Sequence, residues 1–336
     1  MQNLIDPAIL FFVFGVLAGV LRSNLEIPGA IAKFLSLYLL MALGLKGGFA
    51  LAQSGFTADV ALSLAAALFM AFLVPVLGYA FLRTRVSRFD AAAVAAAYGS
   101  VSAVTFLTAS QFLEAQGLAP GGHMAVALVL MESPAIIVAM LLANAIRQGE
   151  GSGTRPGVAQ SVGAAAASVA PPVLSPGKVL HESFTNGAHL LLLGSLAVGF
   201  ISGEAGKAMM QPFAGDLFKG MLAFFLLDMG LMVAKNFKDA RKASASLLVY
   251  AVVAPLLHAA IALGLARLLG LTTADAILLM VLSASASYIV VPAVLRYALP
   301  EANPALYFGL SLGITFPLNI LVGIPLYTWA AEHVLG

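Results

Sequence analysis

Few side chains in this sequence can do chemistry, and they cluster. Glu132 lies in Met131-Glu132-Ser133-Pro134, where a proline frees backbone carbonyls beside a carboxylate. Oxygens of that kind suit Na⁺ or a proton; the plainer alternative is a structural ion pair or hydrogen bond. Two runs are rich in small and hydroxyl residues: Gly99-Ser100-Val101-Ser102-Ala103-Val104-Thr105, and Ser283-Ala284-Ser285-Ala286-Ser287 leading into Tyr288-Ile289-Val290-Val291-Pro292. Neither contains Lys or Arg. Gly99 weakens a helix, and Ser or Thr can cap a new one. Val291 is pushed toward extended backbone by Pro292, so a break is expected from Ser285 to Val291, with a half-helix starting near Pro292. Each new helix start carries unsatisfied N–H groups and a partial charge of about +0.5. Two such starts facing each other would hold a small anion without a basic side chain; the bland alternative is close helix packing.

The candidate substrate ligands are therefore Gly99, Ser100, Val101, Ser102, Thr105, Ser285, Ala286, Ser287, Tyr288 and Ile289. The candidate Na⁺ ligands are Glu132, Asp228 and Thr315. Asp228 serves equally well as an ion-pair partner for Lys46. Thr315, in Thr315-Phe316-Pro317, offers a hydroxyl where the first half of the chain has Glu132. His258 reads as a hydrogen-bonded core histidine rather than a relay, and Asn319 is a weaker candidate still.

What positions these residues follows from composition. Of 336 residues, 61% are hydrophobic and 10% charged, against about 25% charged in an ordinary soluble domain. So few charges cannot coat a globule, which excludes a soluble enzyme, a nucleic-acid binder and a disordered scaffold. With about 20 apolar residues per membrane crossing, the chain supplies ten spans: 7–22, 28–52, 57–82, 90–113, 123–146, 184–202, 212–234, 243–269, 274–298 and 304–330. Met1 to Ala8 has no Lys or Arg, so the first span is expected to stay uncleaved. The expected fold is all-α and polytopic, with residues 1–147 as a first five-helix unit and 183–336 as a second. Residues 148–182, rich in Gly, Ala, Ser and Pro, form a flexible linker, either a solvated tether or a regulatory docking segment. Placing the termini outside puts 13 of the 17 Lys and Arg residues on the inner side, leaving Lys46, Lys207, Lys219 and Arg267. That bias makes the linker cytoplasmic and the protein a multi-pass protein of the plasma (inner) membrane.

Five spans followed by five invert the second unit, and the sequence carries a matching repeat. Leu39 to Leu45 resembles Phe225 to Leu231; Ala71 to Leu77 resembles Ala251 to Leu257. Asp90-Ala91 and Asp275-Ala276 open the fourth and ninth spans, each followed by one of the hydroxyl-rich runs. An inverted repeat with interrupted helices at equivalent positions points to a secondary transporter and to its site. Enzyme chemistry has no footing. There are no cysteines, the five histidines form no HExxH, Asp228 lacks a GxGD context, and no serine lies in GxSxG.

At these residues the chain resembles the sodium-dependent bicarbonate transporter family. The shared stretches are Ile27-Pro28 with Ala30-Ile31, Gly44-Leu45 with Gly47-Gly48, Asp90 to Thr105, Pro134 with Ala143-Asn144, Ala302-Asn303-Pro304 with Tyr307, Gly309 and Ser311, then Pro317 and Ile324-Pro325-Leu326. The resemblance implies a 5+5 inverted-repeat fold, a homotrimer, and Na⁺-dependent symport of bicarbonate by alternating access, with no cofactor beyond the coupling ion. It also implies a PII-like cytoplasmic regulator as a possible partner. Glu132 stands where the family has an aspartate. Tyr288 replaces another aspartate, Val290-Val291 a Ser-Gly pair, and Ala103-Val104 a Gly-Ser pair. These replacements make the pocket more apolar and bring forward a second substrate class, small organic carboxylates coupled to Na⁺ or H⁺. A non-transporting membrane sensor or structural protein is the alternative of another class.

Overall fold

The computed structural model describes residues 6–151, 187–240 and 243–336, which are helical and without strands. The linker expected at 148–182 falls mostly outside the described residues; its first four residues continue the preceding helix.

Helix α1 (Pro7–Val20) starts on Asp6, whose carboxylate accepts from Ala8 N at 2.8 Å, with proline in the first turn where its missing N–H costs nothing. Helix α2 is Gly29–Ser54 and α3 is Ala58–Leu82, with Pro75 inside it. The fourth span is two helices, α4 (Arg88–Gly99) and α5 (Ala103–Ala115). Helix α6 is Met124–Gly151. Helix α7 (Gly187–Met210) bends at Gly203, whose φ of 54° suits glycine, and passes through a π-turn at Gln211–Asp216 into α8 (Phe218–Ala240). Helix α9 is Ala245–Leu269, with Pro255 inside it. The ninth span is again two helices, α10 (Thr273–Ala284) and α11 (Val290–Ala298). Helix α12 (Pro304–Leu335) contains π-turns at Ser311–Thr315 and Asn319–Gly323.

Among the described residues, seven stretches are long and apolar enough to cross a membrane: α2, α3, α4 with α5, α6, the run Gly187–Phe237, α9 and α12. Two more apolar helices, α1 and α10, are shorter. The protein is therefore a multi-pass membrane protein.

The long helices pack across the two halves of the chain. Helix α2 runs along α7, and α1 along α8, at backbone contact. A Cβ on Gly44 of α2 would lie 2.4 Å from Leu192 O, and one on Gly230 of α8 would lie 2.2 Å from Phe12 O, closer than any side chain allows. Gly44 and Gly230 occupy equivalent places in the matched stretches 39–45 and 225–231. In membranes such glycine seams let helices associate through dispersion, where no hydrophobic drive separates one apolar surface from another.

A second matched pair holds the interrupted helices. Ser87 caps α4, its Oγ accepting from Asp90 N at 3.0 Å and donating to Asp90 Oδ2 at 2.7 Å. Thr272 caps α10 in the same way, accepting from Asp275 N at 3.2 Å and donating to Asp275 Oδ2 at 2.9 Å. The remaining carboxylate oxygens reach across to the loop entering the long helix that follows the other interrupted span. Asp90 Oδ1 accepts from Asn303 N, just before α12, at 2.7 Å, and Asp275 Oδ1 accepts from Gly121 N, just before α6, also at 2.7 Å.

Candidate functional site

The fourth span breaks over Ser100–Ser102. Gly99 closes α4 against α3: a Cβ there would lie 2.6 Å from Pro75 Cδ, so only glycine fits. Ser102 caps α5, its Oγ accepting from Thr105 N at 3.2 Å and from Thr105 Oγ1 at 2.9 Å. The ninth span breaks over residues 285–289. Helix α11 starts at Val290, two residues before the start expected at Pro292, which falls inside the first turn where a missing N–H is harmless.

The two breaks are tied to one another. Ser102 N donates to Ser285 Oγ at 3.0 Å, while Ser285 Oγ donates to Leu282 O at 2.9 Å. Ser287 N donates to Ala97 O at 2.7 Å, and Ser287 Oγ accepts from Val291 N at 3.3 Å. Tyr288 bridges outward. Its hydroxyl accepts from Ser102 Oγ at 3.4 Å and points to Met229 Sδ of α8 at 3.8 Å, and its ring stands edge-on to Phe316, with centroids 5.4 Å apart. Asn319 supports the second break, donating to Ala284 O at 2.9 Å while accepting from Tyr327 at 2.8 Å.

Where the breaks meet there is a cavity of about 80 Å³. One wall is residues 101–104, the start of α5; another is residues 287–290, the start of α11. The first-turn N–H groups of a helix have no intrahelical partners, so two helix starts turn partial positive charge toward this space. Ser36 and Leu40 of α2, Leu128 and Glu132 of α6, and Ala188, His189 and Leu192 of α7 complete the lining. No Lys or Arg is among these residues. The volume suits a small solute: several water-sized bodies fit, a bulky organic molecule does not.

Of the ten candidate substrate ligands, Val101, Ser102, Ser287, Tyr288 and Ile289 line the cavity, and the other five stand behind it. Gly99 and Ser285 shape the breaks, Thr105 holds Ser102, and Ser100 and Ala286 are buried. Glu132 lies on the cavity wall, paired with His189. Thr315 does not line it: its hydroxyl accepts from Tyr98 at 2.6 Å and donates to Ala251 O at 2.8 Å. Asp228 is buried in α8 away from the lining. The pairing of Asp228 with Lys46 is overturned, because Lys46 bonds Glu114 Oε2 at 2.8 Å. His258 is buried within α9, away from the cavity lining. Among the described residues, no group of three or more His, Asp and Glu is placed to hold a metal ion.

His189 is the cavity residue that the sequence reasoning passed over. The signal was present: an ionisable side chain at the start of His189-Leu190-Leu191-Leu192-Leu193, an apolar run, is as costly in a membrane as Glu132.

A family model described as the Na⁺-dependent bicarbonate transporter superfamily matches residues 7–332. No curated protein matches the chain significantly.

Proposed function

The chain belongs to the Na⁺-dependent bicarbonate transporter superfamily, a family of transporters and not of enzymes, and from that premise we propose that it carries out Na⁺-driven symport of bicarbonate by alternating access. The observation that carries the reading is the meeting of two helix starts, α5 and α11, on one small cavity without a basic residue. A compact monovalent anion fits between them, with Ser102 and Ser287 as the nearest hydroxyls and the first-turn N–H groups as donors. Glu132 is the candidate Na⁺ ligand on the cavity, with serine hydroxyls and backbone carbonyls as further oxygens; Asp228 and Thr315 are candidates for a second, separate cation position. One Na⁺ with one bicarbonate moves no net charge, so it draws about 1.4 kcal/mol per tenfold Na⁺ gradient. A second Na⁺ would add about 2.3 kcal/mol per 100 mV of membrane potential.

The fold that goes with this function is ten crossings in a 5+5 inverted repeat. The run Gly187–Phe237 has 51 residues, about 75 Å of helix at 1.5 Å per residue, which is two crossings with the bend at Gly203 between them. The exchange-related contacts support the repeat: Gly44 on α7 against Gly230 on α1, and Asp90 on Asn303 against Asp275 on Gly121. In this reading both termini are outside the plasma (inner) membrane and the linker is cytoplasmic, which an accessibility tag at the C-terminus tests. A homotrimer with a PII-like protein on its cytoplasmic face belongs to the same proposal.

A second substrate reading rests on one feature. Leu40, Val101, Leu128, Tyr288 and Ile289 give the cavity an apolar side that suits a short organic carboxylate. Uptake of radiolabelled bicarbonate by purified protein in liposomes, with and without an inward Na⁺ gradient, separates the two. Na⁺-dependent accumulation is the expected result. No bicarbonate flux, with flux of a small carboxylate in the same vesicles, would transfer the assignment to the second class; no flux of either would leave the sensor reading standing.

A further inference from the structure

A second cavity, of about 500 Å³, lies where α1, α8 and α12 meet, and it shares no lining residue with the candidate transport cavity. Phe12, Val16 and Val20 of α1 form one side, Val233 of α8 another, and Pro317 and Leu321 of α12 the third. Val20 at its rim is exposed, so the cleft opens where the protein would face lipid. Leu321 belongs to the second π-turn of α12, and Pro317 lies between the two π-turns. Widened turns of this kind recur at functional sites.

Helices α1 and α8 run parallel, since Gly15 abuts Leu227 and Gly19 abuts Ala234. Their C-terminal ends therefore meet at one end of the cleft, and each brings a cation to the lining, Arg22 and Lys235. Among the described residues neither is in an ion pair, and the described lining contains no carboxylate. Asp228, whose charge Lys235 feels, lies seven residues back on α8 and outside the lining. Arg22 is also held against its backbone preference. Helix α1 ends in a Schellman turn, with Arg22 N on Gly19 O at 3.1 Å and Ser23 N on Ala18 O at 3.0 Å. Arg22 takes the left-handed position, with φ 55°, where glycine is the usual occupant. An arginine there accepts strain and sets a guanidinium at the cleft.

We infer that this cleft binds one anionic phospholipid of the bilayer, its acyl chain along α1 and α12 and its phosphate on Arg22 and Lys235. The dimensions support a lipid. Arg22 is ten residues on from Phe12, about 15 Å along a helix, which is half of a hydrocarbon core of about 30 Å. The cleft is thus apolar over the depth of one leaflet and cationic where the headgroups of that leaflet begin. A free phosphate would leave the apolar length bare, and a zwitterionic headgroup would bring its own ammonium toward the two cations. The bound lipid lies between the α1–α8 seam and α12, whose Asn319 donates to Ala284 O at the end of α10. It is therefore placed to brace the helix that supports the second break.

The test is native mass spectrometry of the purified full-length protein in detergent, with phosphatidylglycerol or phosphatidylcholine of the same acyl chains. Two basic side chains at a membrane surface correspond to about a thirtyfold preference for the anionic lipid at low salt. Both side chains are exposed, so a double variant carrying Arg22→Gln and Lys235→Gln should fold. It should lose most of the preference, and Arg22→Lys should keep it. Val20→Trp, which narrows the cleft and leaves both charges, should weaken binding of both lipids. Phosphatidylglycerol should raise the apparent melting temperature of the wild type and not of the double variant. Equal retention of the two lipids by the wild type, or an unchanged preference in the double variant, overturns the proposal. Glycerol phosphate, a phosphate without chains, should fail to displace phosphatidylglycerol; displacement at equal concentration would make this a free-phosphate site instead. An oligomer that Val20→Trp dissociates, with no lipid preference in the wild type, would assign the cleft to a second copy of the chain and equally overturn it. Bicarbonate enters none of these measurements, so the inference stands or falls apart from the substrate.

Discussion

At the scale of single residues, Ser102 and Ser287 differ in how much each one supports. Ser102 Oγ gathers three partners, Thr105 N, Thr105 Oγ1 and Tyr288 hydroxyl. Ser287 Oγ accepts one longer bond from Val291 N at 3.3 Å, though its backbone N–H is also fixed, on Ala97. Loss of an N-cap costs about 1 kcal/mol, and about that much is a fivefold change in an equilibrium. Ser102→Ala is therefore expected to raise the KM for substrate about fivefold or more, and Ser287→Ala less, with both proteins still reaching the membrane. Uptake kinetics in liposomes check the order; equal wild-type values in both variants would remove the breaks from the substrate site. The hydroxyl-rich runs were legible in the sequence as helix breaks, because serine and glycine in a lipid-embedded helix need a reason. Which members of the runs face the cavity was not, since that depends on the rotation of each half-helix about its own axis. The same lack of rotational information hid the true partners of two charges. Lys46 turns toward Glu114 of α5 rather than Asp228, and Glu132 meets a histidine 57 positions away.

At the scale of elements, the interrupted spans are held by their first turns. Asp90 and Asp275 each do two jobs, closing a capping box and holding the backbone of a distant loop. A hydrogen bond to a charged acceptor contributes about 1.5–3 kcal/mol. Asp90→Ala and Asp275→Ala should each lower the apparent melting temperature in detergent. Because the two clasps share no partner, the double variant should lose nearly the sum; a double variant no worse than either single would show that the clasps are not independent. Gly99 invites a sharper test. Gly99→Val drives a side chain into Pro75 and should abolish transport, whereas Gly99→Val with Pro75→Ala should recover part of it, read by uptake against surface expression. The caps Ser87 and Thr272 come from the structure, whereas Asp90 and Asp275 were legible as the openings of the two spans. Their second use, on Asn303 and Gly121, was invisible, because no local pattern says where a carboxylate's other oxygen will point.

At the scale of the whole molecule, one of the charged contacts that join the two halves of the chain reports on pH. Arg147 near the C-terminal end of α6 donates to both carboxylate oxygens of Glu301, at 2.9 Å each, and to Ala298 O at 3.1 Å. The Arg147 hydrogen bond holds the Glu301 carboxyl below the usual glutamate range, against a smaller opposing effect of partial burial. A carboxyl whose folded value is depressed contributes stability that is complete above its unfolded value and is lost as pH falls through the folded one. Glu301→Gln should thus melt below wild type at neutral pH, and the gap should close only as pH falls below the usual glutamate range. The difference will be modest, since the side chains are 29% and 35% exposed and solvent screens the pair. A gap that persists in acid would assign Glu301 a packing role instead. That the chain is all-helical and crosses a membrane several times was legible from its apolar runs. What the sequence could not convey is that the tightest seams, α1 on α8 and α2 on α7, would join one half to the other, because packing partners are chosen by glycine-lined faces rather than by proximity along the chain.

The matched clasps at Asp90 and Asp275 carry one more consequence. Each fastens an interrupted helix to the loop before the long helix that follows the other interrupted span, with a hydroxyl–carboxylate capping pair and a 2.7 Å bond in both. In the alternating-access reading proposed above, these clasps give neither opening a fastening that the other lacks. A pump needs a preferred direction in its architecture; a device whose two doors hang on the same hinge takes its direction from whichever side is richer. Vesicles loaded with Na⁺ and bicarbonate and diluted into buffer lacking both should therefore drain through this protein as readily as empty ones fill.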